Sequence, residues 1–148
     1  MIREGRKLPP LVTDRIPVIV EEVSKDSAVV ALFSFGSLAR GDLKPLSDLD
    51  FAVLVSRSLD PRARFEKHLN LIGQFNQVFK TDEIDLVLLN DVSIGFSYNI
   101  IFSGRLLYCA NRSELNDFIE RSVKIYLDFK FFRDEFDRAF LEGIGYHG

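Results

Sequence analysis

The chain has no tryptophan and a single cysteine, Cys109. One thiol cannot close an internal disulfide, so packing alone must hold the fold. Cys109 itself is read as a small buried hydrophobe. Basic residues are not in excess: 19 Lys and Arg stand against 22 Asp and Glu, a net charge of −3. Neutralising phosphates supplies most of a nucleic-acid binder's affinity, so this balance speaks against a dedicated DNA- or RNA-binding module. It leaves room for a local basic pocket around a triphosphate. No apolar run approaches the roughly 20 residues of a membrane span. Nor is Met1–Lys7 followed by the apolar stretch of a signal peptide. The expected location is the cytoplasm.

What is present fits one domain. A length of 148 residues is enough to bury a real core. The 14 phenylalanines are a heavy load for that size. They fit either a Phe-rich core or an apolar surface reserved for a partner.

Hydrophobic periodicity outlines the elements. Residues 1–12 read as a flexible arm ending near Pro9-Pro10, and residues 13–142 as the folded domain, with its core at 28–110. A first helix carries Ile16, Val20 and Val23, with Pro17 in its first turn, where a missing N–H costs nothing. Ala28–Phe35 is a continuous apolar run and predicts a buried strand. The polar stretch Ser37–Lys44 predicts a short helix and a loop, punctuated by Gly41 and Pro45. Leu49–Val55 predicts a second strand, with Asp48, Asp50, Ala52 and Leu54 on one side and the odd-numbered residues on the other. Asp60 caps a helix that has Pro61 at its first position. Phe65, Leu69, Ile72, Phe75 and Phe79 form that helix's expected apolar stripe.

Ile84–Leu89 predicts a third strand, Ser93–Phe102 a helix stopped by Gly104, and Arg105–Cys109 a last strand. Asn111 and Glu114 suggest a capping box opening a long helix over 112–140. Residues 143–148 form a tail. On that helix Tyr126, Phe129, Phe132, Phe136 and Phe140 recur at helical spacing. They either pack on the protein's own sheet or form a docking face. The expected class is α/β (α+β): one mixed β-sheet flanked by helices, with a long C-terminal helix.

The chemistry concentrates in Gly36-Ser37, Asp48-Leu49-Asp50 and Asp85. Residues i and i+2 of a strand point the same way, so Asp48 and Asp50 can converge on a cation. Hard cations such as Mg²⁺ select oxygen ligands, and Asp85 on the next strand can add a third carboxylate. Two such ions would activate an attacking oxygen and stabilise a leaving pyrophosphate. Without a cation, three crowded carboxylates repel one another and one is driven to hold a proton. Asp50 also stands amid Leu49, Phe51, Ala52 and Val53, against strand propensity, and such local violations tend to mark function. Gly36 permits close approach of the backbone to a phosphate, and Ser37 adds a hydroxyl donor. Arg40, one helical turn on, is a candidate for charge against a triphosphate, with Lys44 the weaker candidate. His68 reads as a surface or boundary residue, and His147 in the tail as inert. A lone Gly-Ser or a lone Asp-x-Asp says little; their combination with two strand contexts says much more.

Phe35-Gly36-Ser37-Leu38-Ala39-Arg40-Gly41 followed by Ser47-Asp48-Leu49-Asp50-Phe51 resembles the signature of the DNA polymerase β-like nucleotidyltransferase superfamily. The small size points to its minimal nucleotidyltransferase (MNT) group, found in HEPN–MNT toxin–antitoxin systems. The resemblance implies that Gly36 and Ser37 bind the nucleotide phosphates. It further implies that Asp48 and Asp50 ligate Mg²⁺, and that Asp85 is the third carboxylate and the base for an incoming hydroxyl. It implies two Mg²⁺ ions, ATP as substrate and a HEPN-domain toxin as partner. The implied activity is that of an antitoxin transferring AMP to a toxin tyrosine. Two alternatives stay open: nucleotide transfer to a small hydroxylated acceptor such as an aminoglycoside, and a non-catalytic antitoxin acting by occlusion.

Overall fold

A computed structural model describes residues 12–41 and 48–145. Lys44, Pro45, Ser47, His147 and most of the expected N-terminal arm lie outside the described residues. After a 3-10 turn at Val12–Arg15 come α1 (Ile16–Ser24), β1 (Val29–Phe35), α2 (Gly36–Arg40) and β2 (Leu49–Val55). They are followed by α3 (Pro61–Phe79), β3 (Ile84–Leu88), α4 (Ile94–Ser103), β4 (Arg105–Cys109) and α5 (Arg112–Gly143). The expected mixed sheet is present, with strand order β3-β2-β1-β4. β1 runs antiparallel to both β2 and β4, whereas β2 and β3 are parallel and joined through α3. A parallel pair needs such a crossover, and a helix is the usual one.

The two faces of β2 enter two different cores. Leu49, Phe51, Val53 and Val55 join α1 and α3 in one cluster, and Ala52 and Leu54 join residues of α4 and α5 in the other. This is the alternation expected of a central strand covered on both sides. Phe51 lies against Phe75 and Phe79 with ring centroids 5.1 and 5.3 Å away. All three rings are fully buried. Asn90 closes the far end of the sheet: its side chain accepts from Val55 N at 3.0 Å and donates to Val55 O at 2.9 Å.

Local signals placed most helix ends. Asp60 accepts from Ala63 N at 2.8 Å, Ser93 from Phe96 N at 3.3 Å and Asn111 from Glu114 N at 3.0 Å. The capping box is only half made, because Glu114 Oε1 accepts from Arg57 N instead of turning back to Asn111. α5 also runs to Gly143, three residues past the expected end.

Three burial expectations are corrected. Phe65 and Leu69 are 61% and 54% exposed, while Leu71, Phe75 and Phe79 are buried. α3 meets the sheet mainly through its second half, so its buried stripe is shorter than its periodicity suggests. Cys109 is only partly buried, because its strand, β4, lies at the edge of the sheet. Packing of the α5 phenylalanines on the protein's own sheet is also ruled out. Phe129, Phe132, Phe136 and Phe140 are all more than half exposed.

Two substitutions on α3 test this division of the helix. Phe75→Ala should cost about 3–5 kcal/mol of unfolding free energy, the usual range for a buried aromatic. Phe65→Ala, for all its periodic spacing, should change stability by no more than about 0.5 kcal/mol. Urea titration of both variants checks the contrast.

Candidate active site

Strand register gathers the residues that sequence separates. Asp50 pairs with Phe35 across β1–β2 and with Asp85 across β2–β3. Neighbouring strands lie about 4.8 Å apart, so Asp50 and Asp85 stand side by side with side chains on the same face. Phe35 is the last residue of β1, and the chain turns directly into Gly36-Ser37. Asp48 sits immediately before β2, two residues from Asp50. One end of the central strands therefore carries Gly36, Ser37, Asp48, Asp50 and Asp85 together.

Gly36 has φ +63°, a left-handed conformation that strains any side chain but glycine's. A Cβ placed there would overlap Asp50 Oδ2. The backbone bend is thus flush against the carboxylate, and the signature glycine is required by both its φ and its neighbour. Ser37 follows, half-buried, as the second residue of α2. Gly41, at φ +77°, ends α2 in the left-handed cap that glycine favours.

Asp50 is the perturbed group. Its pKa is raised from 3.8 to about 6 by burial, then by the negative charges of Asp85 and Asp48. Arg40 acts in the opposite sense and pulls it down. Arg40 is exposed, yet its charge reaches the acid cluster, where the sequence expected a cation. Asp85 is exposed at the strand edge.

The residues fit a hard divalent cation. The donors are carboxylate oxygens, the type Mg²⁺ selects. Asp50 carries the electrostatic cost of a negative cluster, which a dication would reverse. Among the described residues no three His, Cys, Asp or Glu side chains close into a ready-made cage.

His68, read from sequence as a boundary residue, is partly buried and has a structural task. Its Nε2 donates to the Leu86 carbonyl at 2.6 Å and ties α3 to the strand next to Asp85. Sequence reasoning missed a second feature at the opposite end of the sheet, where Arg57, Arg64 and Arg121 line a cavity of about 300 Å³. They come from a loop, α3 and α5, and no local spacing links them. Seven residues of β2 separate the two ends, roughly 20 Å.

The family model described as polymerase beta, nucleotidyltransferase, matches residues 18–113. The protein adenylyltransferase MntA of Aphanizomenon flos-aquae (strain 2012/KM1/D3) is 32% identical over 124 residues, covering 73% of this chain and 80% of that protein. A crystal structure of a toxin–antitoxin with AMP-PNP superposes with TM-score 0.63 at 22% identity, over 86% of this chain and 97% of the matched one. A complex of the tri-AMPylated Shewanella oneidensis HEPN toxin with MNT antitoxin gives 0.61 at 20%, over 88% and 99%. At these identities the solved structures establish the fold. No helix among the described residues is long and apolar enough to cross a membrane.

The raised pKa of Asp50 has a defined consequence for the cation-free protein. The unfolded chain releases this proton near pH 3.8 and the folded chain near 6. Between those values the folded state holds the extra proton, so this group's contribution to stability falls as pH rises from about 4 to 6. In chelator, the difference in unfolding free energy between Asp50→Asn and wild type should therefore grow in the variant's favour across that window and level off above it. Denaturant titrations at several pH values measure the difference; a flat difference would refute the assigned burial of Asp50.

Proposed function

The chain belongs to the polymerase beta nucleotidyltransferase family, and from that premise we propose that it is a Mg²⁺-dependent protein adenylyltransferase acting as an antitoxin. It transfers AMP from ATP to a tyrosine hydroxyl of a cognate HEPN ribonuclease toxin. The observation that carries this reading is the register Phe35–Asp50–Asp85, which sets a phosphate-compatible bend beside the acidic cluster. Two comparisons support it. The curated relative is named a protein adenylyltransferase, and one structural neighbour is bound to a toxin that carries three AMP groups.

Each residue has a task in this mechanism. The bend at Gly36 lets the backbone approach the triphosphate, and the Ser37 hydroxyl donates to a phosphate oxygen. Arg40 adds positive charge on the same side. Asp48, Asp50 and Asp85 would hold Mg²⁺, which would supply neutralising charge for the triphosphate and the departing pyrophosphate. The tyrosine oxygen forms a bond to the α-phosphorus as the bond from that phosphorus to the bridging oxygen breaks. Asp85 accepts the tyrosine proton, and pyrophosphate leaves. Positioning and fixed charge supply most of the acceleration.

Co-expression with the neighbouring toxin gene, followed by intact mass spectrometry of the toxin, tests the activity. The toxin should gain mass in steps of one AMP, and Asp48→Ala or Asp50→Ala should abolish the gain. An unmodified toxin that is still neutralised by both variants would establish occlusion instead.

Gly36→Ala should reduce kcat/KM for AMP transfer by about a hundredfold, the scale of a 1 Å misplacement at a reacting centre. Its measurement is a time course of toxin modification at limiting enzyme.

A further inference from the structure

The cavity at the end of the sheet away from the aspartates is charged unlike the rest of the chain. Three arginines line it and no aspartate or glutamate does, in a protein whose net charge is −3. Arg57 comes from the loop after β2, Arg64 from α3 and Arg121 from α5. Like charges drawn from three elements repel one another unless an opposite charge answers them. Arg64 is answered: its Nη2 lies 2.9 Å from Asp91, and its Nη1 donates to the Leu59 carbonyl at 3.2 Å. Arg57 and Arg121 are not. Glu114, itself outside the lining, accepts only from the backbone N–H of Arg57, and Arg121 Nε donates to the Asp117 carbonyl. Among the described residues, neither guanidinium forms an ion pair with a carboxylate.

A second, independent observation comes from α4. Ser97 lines the same cavity and is only 2% exposed, and its Oγ has no hydrogen-bond partner among the described residues. Such a buried, unpaired hydroxyl is uncommon in a folded protein. A helical serine can turn back to the carbonyl four residues earlier. On the same helix Ser103 does so, donating to Asn99 O at 2.6 Å, and Ser97 does not. Much of the remaining wall is apolar, with Leu89, Val92 and Phe118 among it. The volume, about 300 Å³, is at the lower end of small-molecule sites.

We propose that this cavity binds a small organic phosphate, a phosphate monoester carried on an apolar or aromatic body. Arg57 and Arg121 hold the phosphoryl group, since guanidinium forks match the spacing of its oxygens. A monoester carries close to two negative charges at neutral pH, matching two unanswered guanidiniums, where a carboxylate brings one. Ser97 adds a hydroxyl donor, and Leu89, Val92 and Phe118 cover the body of the ligand. The apolar wall is what selects an organic phosphate over the free ion. Roughly 20 Å of β2 separates this site from the acidic end, so the two can be filled independently.

Phenyl phosphate, titrated into the full chain in chelator, is the probe, followed by calorimetry and by amide NMR shifts. It should bind with a Kd of about 0.1–1 mM and shift the amides around Arg57, Ser97 and Arg121, not those of Gly36 and Ser37. Arg57→Gln and Arg121→Gln, both at exposed positions, should each weaken binding about tenfold with an unchanged circular dichroism spectrum. Ser97→Ala should weaken binding about fivefold while leaving the unliganded chain no less stable to urea. Benzoate, the same ring on a carboxylate, and inorganic phosphate should each bind about tenfold more weakly than phenyl phosphate. No saturable binding of phenyl phosphate by about 10 mM overturns the proposal. So does binding that both arginine variants leave intact, or shifts centred on Gly36 and Ser37. Benzoate or inorganic phosphate binding as tightly as phenyl phosphate overturns it too.

Discussion

Asp50 is held between two strands in a position that electrostatics opposes. Its backbone is fixed by pairing to Phe35 on one side and Asp85 on the other, so the carboxylate cannot retreat from its like-charged neighbours. Burial and those two charges together raise its pKa. The rest of the fold can be understood as what makes that placement tolerable. The fully buried rings of Phe51, Phe75 and Phe79 begin one residue away, on the opposite face of β2. Such packing supplies cohesion of the kind that offsets a strained polar site.

The same strand therefore serves two purposes. Its odd residues anchor α1 and α3, and its even residues run from Asp50 through Ala52 and Leu54 into the α4–α5 core. Gly36 joins the two ideas, since its backbone packs against Asp50 in a conformation that forbids a side chain. The left-handed bend at Gly36 and the acidic cluster are thus one mechanical unit, not two motifs that happen to be near. His68 strengthens that unit from outside by fixing the strand beside Asp85 to α3.

Function on this scaffold is distributed between its ends. The acidic end carries the candidate site of a nucleotidyltransferase family member. The other end carries arginines and the start of an apolar helix that extends away from the core. A small domain has little interior to spare, and the second half of this 32-residue helix buries none of its residues, so it adds no core of its own. Its exposed phenylalanines account for the heavy Phe content without invoking a larger core.

Much of this was legible before any coordinates. The apolar runs located the strands to within a residue, because a buried strand must be apolar on both faces. Asp60 and Asn111 marked their helix starts because a cap is a local bond between near neighbours. The Gly-Ser and Asp-x-Asp signals were readable for a related reason, since each lies on a single element or at its end. What sequence periodicity misjudged was which helical stripes are covered, as Phe65, Leu69 and the phenylalanines of α5 show. A stripe says that a face is apolar; only the docking of one element on another says what lies against it. The register that brings Asp85 to Asp50, and the cavity that unites Arg57, Arg64 and Arg121, were likewise decided by tertiary structure. Contacts between distant segments depend on how the chain closes in space, and no local spacing encodes that.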